Sequence, residues 1–261
     1  MTPQEIRYRL HTQIIGQEIE VYDQLQSTND LALQRGIEGA TEGTLILAEH
    51  QTAGRGRYGR TWHSPPGSSL LASLILRHGL LPDQIGLPNL MGAVSIATAI
   101  RDVTALPAMI KWPNDVLISG KKVSGVLTEL EYDQNQRPFF VVGFGVNVNI
   151  APTEFPFSLR SLATSLQIES GGEISRVALL CAILHRSEEN YLHLKCGKTP
   201  VIINTATELL ATIGEWVQLE TPDTVFDGIA ERIDAEGRLI LREQSGRLRT
   251  FLNGEVVHTR R

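Results

Sequence analysis

Along the chain the spacing of apolar residues changes several times, and each change marks an element. Leu90, Val94, Ala97, Ile100 and Val103 recur every three to four residues, which predicts an amphipathic helix over 89–103. The same period returns at Val177, Leu180, Cys181, Leu184, Tyr191 and Leu194, predicting a helix that starts near Ser175 and ends at Gly197. Ser27-Thr28-Asn29-Asp30 reads as a helix start with a carboxylate three residues in, and Gly36 as its stop. Continuous apolar runs at 44–48 and 69–76 predict buried strands on either side of a glycine- and arginine-rich loop over 51–67. Residues 123–132 and 137–150, separated by Asp133-Gln134-Asn135-Gln136, read as an antiparallel pair. Strands and helices do not alternate regularly, so the expected class is α+β, with a mixed, largely antiparallel sheet. Beyond Thr212 the texture changes to short strands at 216–219, 225–233, 239–242 and 250–257. Asp227-Gly228, Glu236-Gly237, Ser245-Gly246 and Asn253-Gly254 punctuate them, which suggests a small β-barrel. Two domains are therefore expected, 1–210 and 211–261.

Composition narrows the function classes. The 261 residues are 42% hydrophobic, enough for a sizeable core, and carry a formal charge of −5. That balance disfavours duplex DNA or an anionic membrane as partner. No apolar run approaches the ~18 residues of a membrane span, and the N-terminus lacks a secretory h-region. Cys181 and Cys196 have no cysteine cluster around them, which suits a reducing cytoplasm.

Four stretches carry candidate chemistry. Gly54-Arg55-Gly56-Arg57-Tyr58-Gly59-Arg60, followed by Trp62, crowds three arginines that repel unless an anion sits among them. Guanidinium forks match phosphate oxygens, so the run reads as a mobile phosphate clamp, although a solvated basic loop has the same composition. Neither a Walker loop nor a dinucleotide fingerprint fits its spacing. Lys111-Trp112-Pro113-Asn114-Asp115, with Lys122 and Gly125 soon after, is expected to turn at Pro113 and to point Lys111, Asn114 and Asp115 out of the sheet edge. Lysines beside a carboxylate and an amide suit phosphate and magnesium; a polar turn with surface lysines is the plainer reading. In 142–149 the period of two puts Val142, Phe144, Val146 and Val148 on one face and Gly143, Gly145, Asn147 and Asn149 on the other. The second face forms a bare shelf for a compact ring, or for tight helix packing. Ser27, Thr28 and Asn29 cap a helix and can also bind a ureido or carboxylate group.

Together these stretches, including Gln51 to Arg60, Lys122 to Gly125 and Gly143 to Asn149, resemble the biotin protein ligase family over about residues 20–260. The resemblance implies a class II synthetase-like catalytic domain followed by a barrel of the Src-homology-3 type. It implies ATP-dependent activation of biotin to biotinyl-AMP, with magnesium, and transfer to a lysine of a biotin carboxyl carrier protein of acetyl-CoA carboxylase. Ser27, Thr28, Asn29 and Gln51 would address the biotin ring, with Gly125, Gly143 and Gly145 as its wall. Gly54, Arg55, Gly56 and Arg57 would close over it, and Lys122 would meet its carboxylate and the α-phosphate. Arg57, Arg60, Trp62, Lys111, Asn114 and Asn147 would line the nucleotide, with Asp115 near the metal. Lys111, Lys122, Arg55, Arg57 and Asp115 are the expected catalytic set. The DNA-binding helix-turn-helix of the family's regulatory branch does not precede this region, so no repressor function is expected; a homodimer remains compatible. The rivals are a lipoate ligase or lipoyl/octanoyl transferase and, from another class, a non-enzymatic biotin sensor.

Overall fold

The structure, a computed structural model, describes residues 1–77 and 86–258, the last of these by its backbone alone. Residues 78–85 and 259–261 of the two expected domains lie outside the described residues. The main sheet has seven strands in the order β1 (Ile19–Leu25), β2 (Leu45–Gln51), β3 (Ser69–Leu76), β7 (Pro138–Asn147), β6 (Lys121–Tyr132), β5 (Asp115–Ile118) and β4 (Met109–Lys111). Only β1 and β2 run parallel; the other neighbours are antiparallel, as expected. All of β3, and all of β7 after Pro138, is buried. Both strands are central and covered on both faces, which is why they read as apolar runs rather than alternations.

Besides α1 (Pro3–Arg9) and the short α4 (Leu166–Ser170), one face carries α3 (Gly86–Thr104), α5 (Arg176–Lys195) and α6 (Thr199–Leu209), packed on Leu70, Leu74, Phe140, Val142, Phe144 and Val146. On the other face α2 (Thr28–Ile37) covers Ile46, Ile75, Phe139 and Val141. Gly36 does not stop α2, which continues to Ile37. It is glycine because a Cβ there would stand 2.1 Å from the Phe139 ring. The apolar layer beneath α2 is short. After Phe139 and Val141, the next residues of β7 on that face are Gly143, Gly145 and Asn147. The N-terminus of α2 therefore lands where the sheet runs out of side chains.

Further departures from the sequence-based expectation concern β1, the 111–115 segment and Asn149. β1 is an edge strand with mixed polarity, IEVYDQL, and gives no apolar run. The 111–115 segment does not point out of the sheet edge. It is the tip of a β4–β5 hairpin, in which Lys111 pairs with Asp115 in the ladder and Trp112, Pro113 and Asn114 form the turn. Asn149, expected on the shelf, instead exchanges hydrogen bonds with the backbone of Ile174 at 2.9 and 3.0 Å, beyond the end of β7.

After α6 the chain passes beside β4, with Ala211 N–H donating to Ile110 O at 2.9 Å. It then forms β8 (Trp216–Glu220), β9 (Val225–Ile233), β10 (Leu239–Arg242), β11 (Leu248–Phe251) and β12 (Glu255–His258), an antiparallel sheet in the order β11-β10-β9-β8-β12. The single strand expected over 250–257 is thus two, separated by Leu252-Asn253-Gly254. Trp112 ties the two sheets: its indole is 1% exposed and donates to Gly237 O at 3.0 Å. No helix among the described residues is long and apolar enough to cross a membrane.

Candidate active site

The register across the sheet builds the floor of a site. Gly145 pairs with Gly125, which pairs with Asp115, so two glycines and a carboxylate form one row across β7, β6 and β5. In the next row Gly143 lies between Ser73 and Leu127. The shelf read from β7 alone is therefore widened by Gly125 on the neighbouring strand. It is not bare: Asn29 lies on Gly143, where a Cβ would stand 1.8 Å from its Oδ1, and the Trp62 indole lies on Gly145, with a Cβ 2.5 Å from its Cε2. The indole nitrogen of Trp62 is buried without a hydrogen-bond partner.

The start of α2 forms one wall. Ser27 is its cap and accepts from Asp30 N at 3.4 Å. Thr28 donates to Gln51 Oε1 from its backbone nitrogen (2.6 Å) and its hydroxyl (3.1 Å). Ser73 Oγ reaches Thr28 Oγ1 at 2.8 Å and Asn29 Oδ1 at 2.6 Å, while Asn29 Nδ2 donates to Glu129 at 2.7 Å. Ser27, Thr28 and Asn29 are all buried, so these contacts position them firmly.

The glycine–arginine loop folds over this floor. Gly54 and Trp62, and Gly56 and Arg60, are bonded through their backbones at 2.9 and 2.6 Å, with a tight turn over Arg57–Gly59. Tyr58 and Gly59 take positive φ in that turn, at 55° and 71°; glycine does so without strain. The three arginines diverge, each toward protein anions or carbonyls. Arg55 pairs with Asp30 (2.5 Å) and Glu129 (3.2 Å). Arg57 donates to Asn114 Oδ1 and Gly254 O, both at 3.1 Å. Arg60 makes a two-pronged pair with Glu255 of β12. The mutual repulsion expected of the run is relieved by carboxylates at Arg55 and Arg60 and by neutral oxygens at Arg57.

The β4–β5 hairpin and the start of β6 supply the cations. Lys122 Nζ is 2.7 Å from Asp115 Oδ1 and 5.6 Å from the Trp62 ring centroid, packed against Gly125. Its backbone is fixed by Leu162 and Thr164, at 2.8 and 2.9 Å. Burial pushes the Lys111 ammonium below the ordinary lysine range, against the opposing pull of Asp115 and Glu255. Burial alone would raise Glu255, but Arg60 beside it, with Lys111 and Arg57, holds its carboxyl below the usual range. Asn114 is a pin of the hairpin: its Nδ2 donates to Val126 O at 2.8 Å. Asn147 donates to Thr164 O at 3.0 Å, and its Oδ1 is buried without a partner.

The expected residues thus converge on one face, apart from Asn149. Sequence reasoning missed Ser73, Glu129 and Glu255, which anchor Asn29, Arg55 and Arg60. It also missed the 162–164 segment. Among the described residues no group of three His, Cys, Asp or Glu side chains converges as a metal site.

Residues 21–149 match the biotin/lipoate A/B protein ligase family, and residues 212–259 match the biotin protein ligase C-terminal domain. The bifunctional ligase/repressor BirA of Bacillus subtilis is 37% identical over 247 residues, 94% of this chain and 76% of that protein. The biotin–[acetyl-CoA-carboxylase] ligase of Mycobacterium tuberculosis is 34% identical, covering 96% and 94%. The solved biotin protein ligase of Aquifex aeolicus, in complex with biotin and ATP, superposes with a TM-score of 0.80 at 28% identity, over 92% of this chain and 98% of that one. With both of its sheets matched and its length covered at this identity, the chain belongs to the biotin protein ligase family.

Proposed function

We propose that the chain activates biotin with ATP to biotinyl-AMP and transfers the biotinyl group to a lysine of a biotin carboxyl carrier protein of acetyl-CoA carboxylase. Residues 1–210 then form the catalytic unit and 211–261 a second unit that anchors its loop. The observation that carries this reading is the Asp115–Gly125–Gly145 row beneath Trp62 and the arginine loop, with Lys122 at its edge. A floor without side chains accepts a compact fused bicycle, which enters as the Trp62 indole swings up to cover it. Ser27, Thr28, Asn29 and Gln51 read its ureido edge. The C-terminal match to biotin ligases favours biotin over lipoate. The charge of −5 favours ligation over duplex binding.

In the first step a biotin carboxylate oxygen bonds to the α-phosphorus of ATP and the α–β bridge breaks, releasing pyrophosphate. Two anions must meet, so the barrier is largely electrostatic, and Lys122, Lys111 and Arg57 lower it by neutralising charge. Magnesium would add charge neutralisation at the phosphates, with Asp115, beside Lys122, as the carboxylate that would face it. Exclusion of water by the loop protects the acyl-phosphate. In the second step the acceptor amine bonds to the acyl carbon, AMP leaves, and the amine proton passes to Asp115, released from Lys122 once that ammonium turns to the phosphate.

The test is exchange of labelled pyrophosphate into ATP. The reading requires exchange that depends on biotin, is not supported by lipoate, and is followed by labelling of an isolated carrier domain. Exchange without biotin, or none at all, ends it.

A further inference from the structure

One carboxylate at the end of the glycine floor is shared by two groups with different tasks. Glu129 pairs with Val141 in the β6–β7 ladder, on the face that carries Leu127 and Gly125. Its Oε2 accepts from Asn29 Nδ2 at 2.7 Å, and its oxygens accept from the Arg55 guanidinium at 3.2–3.3 Å. Asn29 continues to Ser73, Ser73 to Thr28, and Thr28 to Gln51. A line of hydrogen-bonding groups therefore runs from the loop that covers the floor to the residues that read its ligand, its three oxygen–oxygen contacts sharing the two hydroxyl protons of Ser73 and Thr28.

We propose that Glu129 is a positioning residue that couples closure of the arginine loop to recognition of the biotin ring; this rests on the ligase reading above. An amide is nearly symmetric in shape, so partners alone decide which way Asn29 faces. Glu129 at 2.7 Å, helped by the Leu127 carbonyl at 3.3 Å, takes its nitrogen, which leaves its oxygen toward Ser73 and the Gly143 wall. The same carboxylate, together with Asp30, draws Arg55 down and holds the loop closed. Both partners only donate, so a residue that only accepts is needed. Glutamine offers one oxygen and one amino group, satisfies one partner and sets a donor against the other. Glu129 and Arg55 are 25% and 40% exposed, so the ion pair adds little to global stability. Its effect falls on the ligand.

The experiment compares wild type, E129Q, R55M and the double variant as full chains. Pyrophosphate exchange is measured at varied biotin and at varied ATP, and release of preformed biotinyl-AMP is timed after gel filtration. E129Q should raise KM for biotin and speed adenylate release about tenfold each, as one charge-assisted hydrogen bond is lost. KM for ATP should change by no more than about twofold, and Tm should fall by no more than about 4 °C, because glutamine still accepts from one of the two partners and the ion pair itself is partly solvent-exposed. R55M should speed release, and E129Q/R55M should release no faster than R55M while showing the raised KM for biotin of E129Q. E129D, which retains the acceptor on a shorter arm, should recover part of both losses. Wild-type biotin KM and release in E129Q, or a uniform fall in every constant with a lower Tm, would overturn the proposal. Additive release rates in the double variant would overturn it as well. Absence of biotin-dependent exchange in the wild type would overturn the ligase reading and this inference with it, whereas an active wild type with an unaltered E129Q defeats this inference alone.

Discussion

Replacing Gly143 by alanine tests whether the floor is glycine because something must lie on it. The added Cβ would stand 1.8 Å from Asn29 Oδ1, 2.6 Å from its Cγ and 2.9 Å from Nδ2. No rotation of a methyl relieves that, so the amide must leave. It is held by Ser73 at 2.6 Å and by Glu129 at 2.7 Å. Losing a neutral bond at about 1 kcal/mol and a charge-assisted one at about 1.5–3 kcal/mol gives roughly 2–4 kcal/mol. For a chain of this size that is a fall in Tm of about 5–15 °C. Biotin affinity, by titration calorimetry, should drop at least about tenfold, the equivalent of 1.4 kcal/mol, since Asn29 no longer faces the ligand. Gly172→Ala is the control, because a Cβ there meets nothing within 4 Å. If G143A melts and binds biotin like G172A, the close approach of Asn29 to the wall is not what the glycine serves.

Glu255→Gln removes the charge that holds Arg60 and should raise KM for ATP several-fold at low salt, the difference narrowing as salt screens the wild-type pair; an unchanged KM would mean the loop needs no anchor on the second sheet. Glu188, 7% exposed, accepts backbone N–H groups from Gln13, Ile14 and Ile15 at 2.7, 2.6 and 2.8 Å. Glu188→Ala leaves three donors unsatisfied and should destabilise by about 3 kcal/mol or more in urea titration, and a loss below about 1 kcal/mol would contradict it. The lowered Lys111 pKa predicts that the ammonium is lost at a lower pH than from an ordinary lysine. Because burial disfavours the charged form, folding is weakened below the folded pKa and strengthens as pH rises from there toward the unfolded value. The kcat/KM of exchange should fall over the same alkaline window, and K111R should move that limb upward; an identical limb in K111R excludes Lys111 as its source.

Much of the site was legible because it rests on local patterns. The alternation of Gly143 and Gly145 with Val142 and Phe144 survives as one face of β7, and Ser27 caps α2 as its composition suggested. What stayed hidden depends on distance along the chain. Asn29 and Glu129 are 100 positions apart, and Arg60 and Glu255 are 195 apart. No local period records such pairings. The union of Gly125 with Gly145 follows from the β6–β7 register, which the turn over 133–136 sets. The hairpin at Pro113 was misjudged because β4 has only three residues and β5 four, too short for a period of two to show. The spacing of Arg55, Arg57 and Arg60 reads only as cations seeking an anion. Their resident anions, Asp30, Glu129 and Glu255, are acidic residues of a kind found all along the surface, and nothing in their spacing sets them apart.

A crystal structure of the chain with biotinyl-AMP bears most directly on the idea that a glycine-lined patch of sheet holds a ring beneath a folded arginine loop. The fused ring should lie on Gly125, Gly143 and Gly145, with Trp62 moved off Gly145 to cover it and Gly54–Arg57 closed above the acyl-phosphate. A ligand seated elsewhere, such as the 270 Å³ cavity lined by Tyr58, Asn89, Pro113 and Asn253, with Trp62 still resting on Gly145, would contradict that idea.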